Sequence, residues 1–167
     1  MKKFENFRKM MIASILCFAI SPLFICCVAE EDEEEAPSEV VVLVPNMPSV
    51  YRDRPVVDLG TVEVSTKNVT FKVWDGGGLI DGDIITLVVN GVVVVDEYEL
   101  LGPSSKLNVP VALNNLGYNY VLLFAHNEGT ASPNTASLSI IDASGNEKSL
   151  VLDASLTTNG AYNIIVE

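Results

Sequence analysis

The segment Ile84-Ile-Thr-Leu-Val-Val-Asn-Gly-Val-Val-Val-Val95 leaves the chain few choices of fold. Asn90-Gly91 sits between two runs rich in β-branched residues. A type I′ turn needs positive φ at both central positions, and Asn-Gly reaches that conformation with little strain. The flanking runs, Ile84 to Val89 and Val92 to Val95, are almost wholly apolar, as expected of strands near the centre of a sheet. The pattern predicts a tight hairpin and anchors the chain in an all-β class.

The rest of the sequence follows suit. Val69, Phe71 and Val73 alternate with Thr70, Lys72 and Trp74, and Leu107, Val109, Val111 and Leu113 alternate with polar or small residues. Pro110 withholds a ladder hydrogen bond, so that second strand belongs at a sheet edge. Tyr118 to Ala125 is apolar on both faces and reads as central. Ala136 to Ile141 and Lys148 to Leu152 flank a hairpin turn, Asp142-Ala-Ser-Gly-Asn146. Ala161 to Val166 forms a last strand, and residues 154–160 hold one helical turn in this reading. No window sustains an apolar period of 3.6. The expectation is an antiparallel, Ig-like or jelly-roll-type β-sandwich of about nine strands over residues 56–167.

What precedes it is of another kind. Lys2, Lys3, Arg8 and Lys9 lead into an apolar segment, Met11 to Ala29, the arrangement of an export signal over residues 1–29. Three fates are open. Cys26 or Cys27 can become the lipidated N-terminus of a lipoprotein, Cys27-Val28-Ala29 can be cut by an ordinary signal peptidase after Ala29, or the segment can stay as an anchor. The protein is thus expected to be exported, either to the outer membrane or cell surface as a lipoprotein, or to the periplasm or medium if cleaved. Residues 30–55 read as an acidic, Pro-rich, disordered linker. Six consecutive acids, Glu30 to Glu35, resemble the acidic export tags that follow the lipidated Cys in surface lipoproteins of some Gram-negative bacteria. Val40 to Val44 can add a strand to a sheet edge.

Charge and composition exclude several classes. The formal net charge is −12. A chain this acidic repels nucleic acid and anionic membranes, so membrane contact is expected only through the N-terminal lipid or anchor. All three Cys (Cys17, Cys26 and Cys27) lie in the apolar segment, which leaves the later region without a disulfide or thiolate nucleophile. The single His, His126, has no Ser or Cys partner in any motif and reads as a structural hydrogen-bonding group. No nucleophile elbow, phosphate loop or His-Glu-x-x-His pattern is present.

The one loop able to carry chemistry lies just before the hairpin. Asp75, Asp81 and Asp83 fall within Asp-Gly-Gly-Gly-Leu-Ile-Asp-Gly-Asp. Their oxygens are hard ligands suited to Ca²⁺, in a spacing unlike an EF-hand. The competing reading has each Asp cap a turn by bonding nearby backbone. Asp142, Ser144, Asn146 and Glu147 form a second oxygen-rich loop with the same two readings. Trp74, Tyr118 and Tyr120 are aromatic side chains able to stack on sugars or to fill a core.

Three pieces together carry a resemblance: Val73 to Gly91, Leu122 to Gly129 with Pro133 to Leu138, and Gly160 to Val166. Residues 60–167 resemble a small β-sandwich domain recurring at the C-terminus of secreted and lipoprotein-type proteins in one group of Gram-negative bacteria. The resemblance implies an accessory module with no activity to carry over. Members commonly have an acidic or amide residue where this chain has Gly76, so one possible oxygen ligand is missing here.

Taken together, these features lead to the expectation of a non-enzymatic cell-envelope binding module with a protein or glycan partner. The alternative is a Ca²⁺-dependent carbohydrate-binding module built on Asp75, Asp81 and Asp83. A small hydrolase using a carboxylate pair is a third class.

Overall fold

The computed structural model describes residues 46–114 and 117–167. The export segment with Cys26 and Cys27, the acidic run and the Val40 to Val44 stretch lie outside the described residues.

The described chain is all-β. Its strands are β1 (Val50–Tyr51), β2 (Arg54–Val64), β3 (Asn68–Asp75), β4 (Ile84–Val89), β5 (Val92–Glu99), β6 (Leu107–Ala112), β7 (Gly117–Ala125), β8 (Asn134–Asp142), β9 (Glu147–Ala154) and β10 (Asn159–Val166). They form a six-stranded sheet in the order β1-β2-β10-β7-β4-β5 and a four-stranded sheet in the order β6-β3-β8-β9. β4 and β5 meet at Asn90 (φ 51°) and Gly91 (φ 82°), the double positive φ expected of that turn. β6, with Pro110, is an edge strand, and β7 is central, between β10 and β4.

Alternation explains the core. Val69, Phe71 and Val73 of β3 meet Ile85, Leu87 and Val89 of β4, Val121 and Leu123 of β7, and Leu138 and Ile140 of β8 in one cluster. Their period of two puts every second side chain between the sheets, where burial of apolar area drives association. β7 is apolar on its outward face as well, and so is Val88 of β4. Val88, Tyr120, Leu122 and Phe124 form a second cluster with Ala161 on that outer face, packed under Met47, Tyr51 and Val56.

Three expectations need correction. β1 and the start of β2 fall inside the region 30–55 read as linker; Tyr51 packs edge-on to Phe124 (6.1 Å), and Arg54 Nη1 donates to Ala125 O at 2.7 Å. Pro55 is tolerated because β2 is paired there only with the short β1. The sheets are not wholly antiparallel, since β2 runs parallel to β10 from Val56 against Asn159 onward. Residues 154–160 hold no helical turn. The Ser155 hydroxyl takes the N–H groups of Thr157 and Thr158, a side-chain turn that competes with helix.

Candidate metal centre

Asp75 closes β3, and Asp83 immediately precedes β4. The strands belong to different sheets, so the loop between them crosses one end of the sandwich. Its ends are pinned by backbone: Asp75 N–H donates to Leu101 O, Leu100 N–H to Asp83 O, and Gly76 N–H to Thr135 O. The segment after β7 lies alongside. Asn127 bonds it to the loop twice, accepting from Ile84 N–H through Oδ1 (2.7 Å) and donating from Nδ2 to Gly82 O (2.7 Å). Gly129 adopts φ +50°, and a Cβ there would come within 2.5 Å of the Asp81 carboxyl carbon. Only glycine leaves Asp81 its place.

Three carboxylates are thereby brought together. One oxygen from each of Asp75, Asp81 and Asp83 lies within 4.8 Å of the others. They line a depression of about 170 Å³ with Gly77, Leu79, Ala131, Ser132, Pro133 and Thr135. Asp75 and Asp83 are 5 % and 3 % exposed.

The two readings of these residues divide between the oxygens. Turn chemistry takes one oxygen from each residue. Gly77 N–H donates to Asp75 Oδ1 (3.2 Å), and Thr135 N–H to Asp83 Oδ2 (3.3 Å). Asp81 Oδ2 accepts from Thr130 N–H (2.7 Å), Thr130 Oγ1–H (3.1 Å) and Ala131 N–H (2.8 Å). The remaining oxygens of the two buried residues, Asp75 Oδ2 and Asp83 Oδ1, have no hydrogen-bond partner among the described residues. A buried carboxylate oxygen without a donor is costly unless a proton or a cation satisfies it.

The electrostatics say the same. Burial, followed by the charges of Asp81 and Asp75, pushes the Asp83 carboxyl up to about 6. Asp81 is held below the usual carboxylate range, chiefly by the Thr130 N–H. The trio can therefore hold a proton on Asp83 or a hard cation among all three. An all-oxygen donor set with two bare carboxylate oxygens fits Ca²⁺ chemistry, with the remaining positions left to water or an outside ligand.

The second oxygen-rich loop behaves differently. The Asp142 carboxylate accepts from Ser65 Oγ–H (2.8 Å), Ser144 N–H (2.9 Å), Asn146 N–H (2.9 Å) and Asn146 Nδ2 (3.1 Å). The Ser65 hydroxyl leads these donors in lowering its pKa to about 2. Its oxygens are already satisfied, so this loop is a structural knot between β2 and the β8–β9 hairpin. Glu147 opens β9 as an exposed residue.

The other sequence candidates lie apart from the carboxylates. His126 Nε2 is 2.7 Å from Thr86 Oγ1, which donates to Asp96 Oδ1 (2.8 Å), and its ring meets Phe124 edge-on. Because the Thr86 proton is committed to Asp96, His126 Nε2 is the donor to Thr86, a structural bond of the kind expected. Lys106 Nζ sits 3.7 Å over the centre of the Trp74 ring. Tyr120 is buried in the outer-face cluster, and Tyr118 is 57 % exposed near the start of β7, the end remote from Ala125 and the carboxylate loop.

Sequence reasoning found the three acids and missed the residues that hold them. Thr130, Ala131 and Thr135 contribute backbone N–H groups, which leave no mark in a sequence. Comparison with protein-family models, with curated proteins and with solved structures finds no match.

Proposed function

We propose that this protein is an exported, non-enzymatic binding module of the cell envelope whose end loops hold Ca²⁺ between Asp75, Asp81 and Asp83. The observation that carries this reading is the pair of buried, unpartnered oxygens, Asp75 Oδ2 and Asp83 Oδ1, in a cluster of three carboxylates. Capping alone would leave them unsatisfied, as it does not at Asp142. Export rests on the basic, then apolar N-terminal segment with Cys26 and Cys27. A non-enzymatic role rests on His126 and Thr86 being tied to each other and to Asp96 instead of facing the depression.

Thermal unfolding tests the metal. A ligand that binds only the folded state stabilises it by about 2.7 kcal/mol at 100 times its dissociation constant. Millimolar Ca²⁺ is expected to raise the midpoint by several degrees, Mg²⁺ much less, and Asp75→Asn/Asp83→Asn is expected to abolish the rise. Equal responses to both cations would reject the site. A carbohydrate as the outer ligand of the ion is the second reading, favoured by the oxygen positions that three carboxylates leave open around Ca²⁺; glycan arrays with and without EDTA test it.

A further inference from the structure

The tip of the same loop is apolar. Leu79 and Ile80 are 54 % and 60 % exposed, and Leu79 lines the depression with the three carboxylates. Gly78 (φ +80°) and Gly82 (φ +86°) bracket this tip and turn it outward. Ile80 rests against Gly102, where a side chain would collide with it, and the neighbouring Leu101 is 41 % exposed. Branched aliphatic side chains thus project beside an acidic, cation-seeking cluster.

We propose that this end of the sandwich docks on a phospholipid surface through Ca²⁺. The ion bridges Asp75, Asp81 and Asp83 to lipid phosphate oxygens, and Leu79 and Ile80 enter the boundary between headgroups and acyl chains. The proposal rests on the Ca²⁺ reading above. Three observations favour this occupant. The carboxylate trio draws a hard cation, and phosphate supplies the hard anionic oxygens that complete a Ca²⁺ shell; since the net charge of −12 opposes an anionic surface, the contact depends on that cation. The apolar group is small and carried on a loop tip, which suits insertion into an interface better than the broad area a stable protein partner requires. Sugar stacking is poorly served here, because Lys106 covers a face of Trp74, and Tyr118 and Tyr120 lie toward the other end of β7.

The test uses the full chain with Ile80→Trp in a Trp74→Phe background, so that the sole tryptophan reports from the tip. It is mixed with phosphatidylglycerol–phosphatidylcholine vesicles whose acyl chains are brominated. Millimolar Ca²⁺ is expected to quench the tryptophan at least about twofold, EGTA to reverse it, and added Leu79→Ser to weaken it while the Ca²⁺-induced rise in unfolding midpoint persists. Quenching that ignores EGTA would assign the contact to the N-terminal apolar segment and overturn the proposal. Equal quenching by brominated galactolipid vesicles, which offer sugar hydroxyls and no phosphate, would overturn it in favour of a glycan. A midpoint rise with no quenching leaves the metal site standing and removes the docking. Absence of any midpoint rise removes both.

Discussion

Asp83 and Asp142 are both buried carboxylates, and their surroundings drive them in opposite directions. Asp83, pushed up to about 6, keeps a proton in the folded protein over a range where the unfolded chain has released it. The metal-free protein should therefore lose stability as pH rises from about 4 through 6, by roughly 2 to 3 kcal/mol. Asp83→Asn is expected to flatten that slope in EGTA, as read from unfolding midpoints at pH 4, 5, 6 and 7. With Ca²⁺ present the slope should reverse, because the ion needs the deprotonated form. Asp142, lowered to about 2, has the opposite sign. Its contribution is complete above the ordinary carboxylate range and is lost as pH falls toward 2. Asp142→Asn should lower the midpoint at pH 7 and have far less effect at pH 2, where the native carboxyl is itself becoming protonated. The identity of both acids is plain in the sequence, and so is the turn chemistry of each loop. What separates them is the supply of donors. Ser65 lies 77 residues from Asp142 and Thr135 lies 52 from Asp83, so that supply is a property of the fold and not of any local pattern.

Among the elements, the β4–β5 hairpin was the most legible, because its turn dipeptide and flanking runs are contiguous. Its tip does more than turn. Asn90 Nδ2 donates to Asn119 Oδ1 (2.8 Å), and Asn90 Oδ1 accepts from Tyr120 N–H (3.0 Å), which ties the hairpin to β7. Gly91→Ala should therefore cost about 1 kcal/mol through positive φ alone, measured by chemical unfolding, with Ca²⁺ binding unchanged. Gly129→Ala makes the converse case. Its Cβ strikes the Asp81 carboxyl, so the Ca²⁺-induced rise in midpoint should vanish even where the metal-free protein remains folded. The elements hardest to read were β1 and the start of β2. Prolines at 45, 48 and 55 give that region the composition of a linker, whereas its place is decided by the apolar outer face of β7 and by Val88 of β4, more than thirty residues away. The excess apolarity of those two strands was the signal that something must cover them.

For the whole molecule, that cover makes the segment before Val56 part of the sandwich. A fragment of residues 46–167 should give a β-type far-UV spectrum and unfold in one cooperative transition. A fragment of residues 56–167 lacks Met47, Tyr51 and Arg54 and uncovers Phe124 and Leu122; its midpoint should fall by about 5 °C or more. Equal midpoints would show that the segment before Val56 contributes nothing to the sandwich. The all-β class and the two-layer core were readable from alternation alone. The parallel pairing of β2 with β10 was not, because it joins strands about a hundred residues apart and changes no residue's inward or outward facing.

That pairing also fixes the order in which the molecule can be completed. β10 lies between β2 and β7, so the larger sheet exists as two separate pieces until the final strand is threaded between them. Such a fold has high contact order and closes slowly, since a long loop must be shut before its contacts repay the lost entropy. A chain emerging N-terminus first can close its four-stranded sheet once β9 is out, but has no finished larger sheet until Asn159 to Val166 has cleared the exit. The last strand of the larger sheet thus acts as the bolt that joins its two halves.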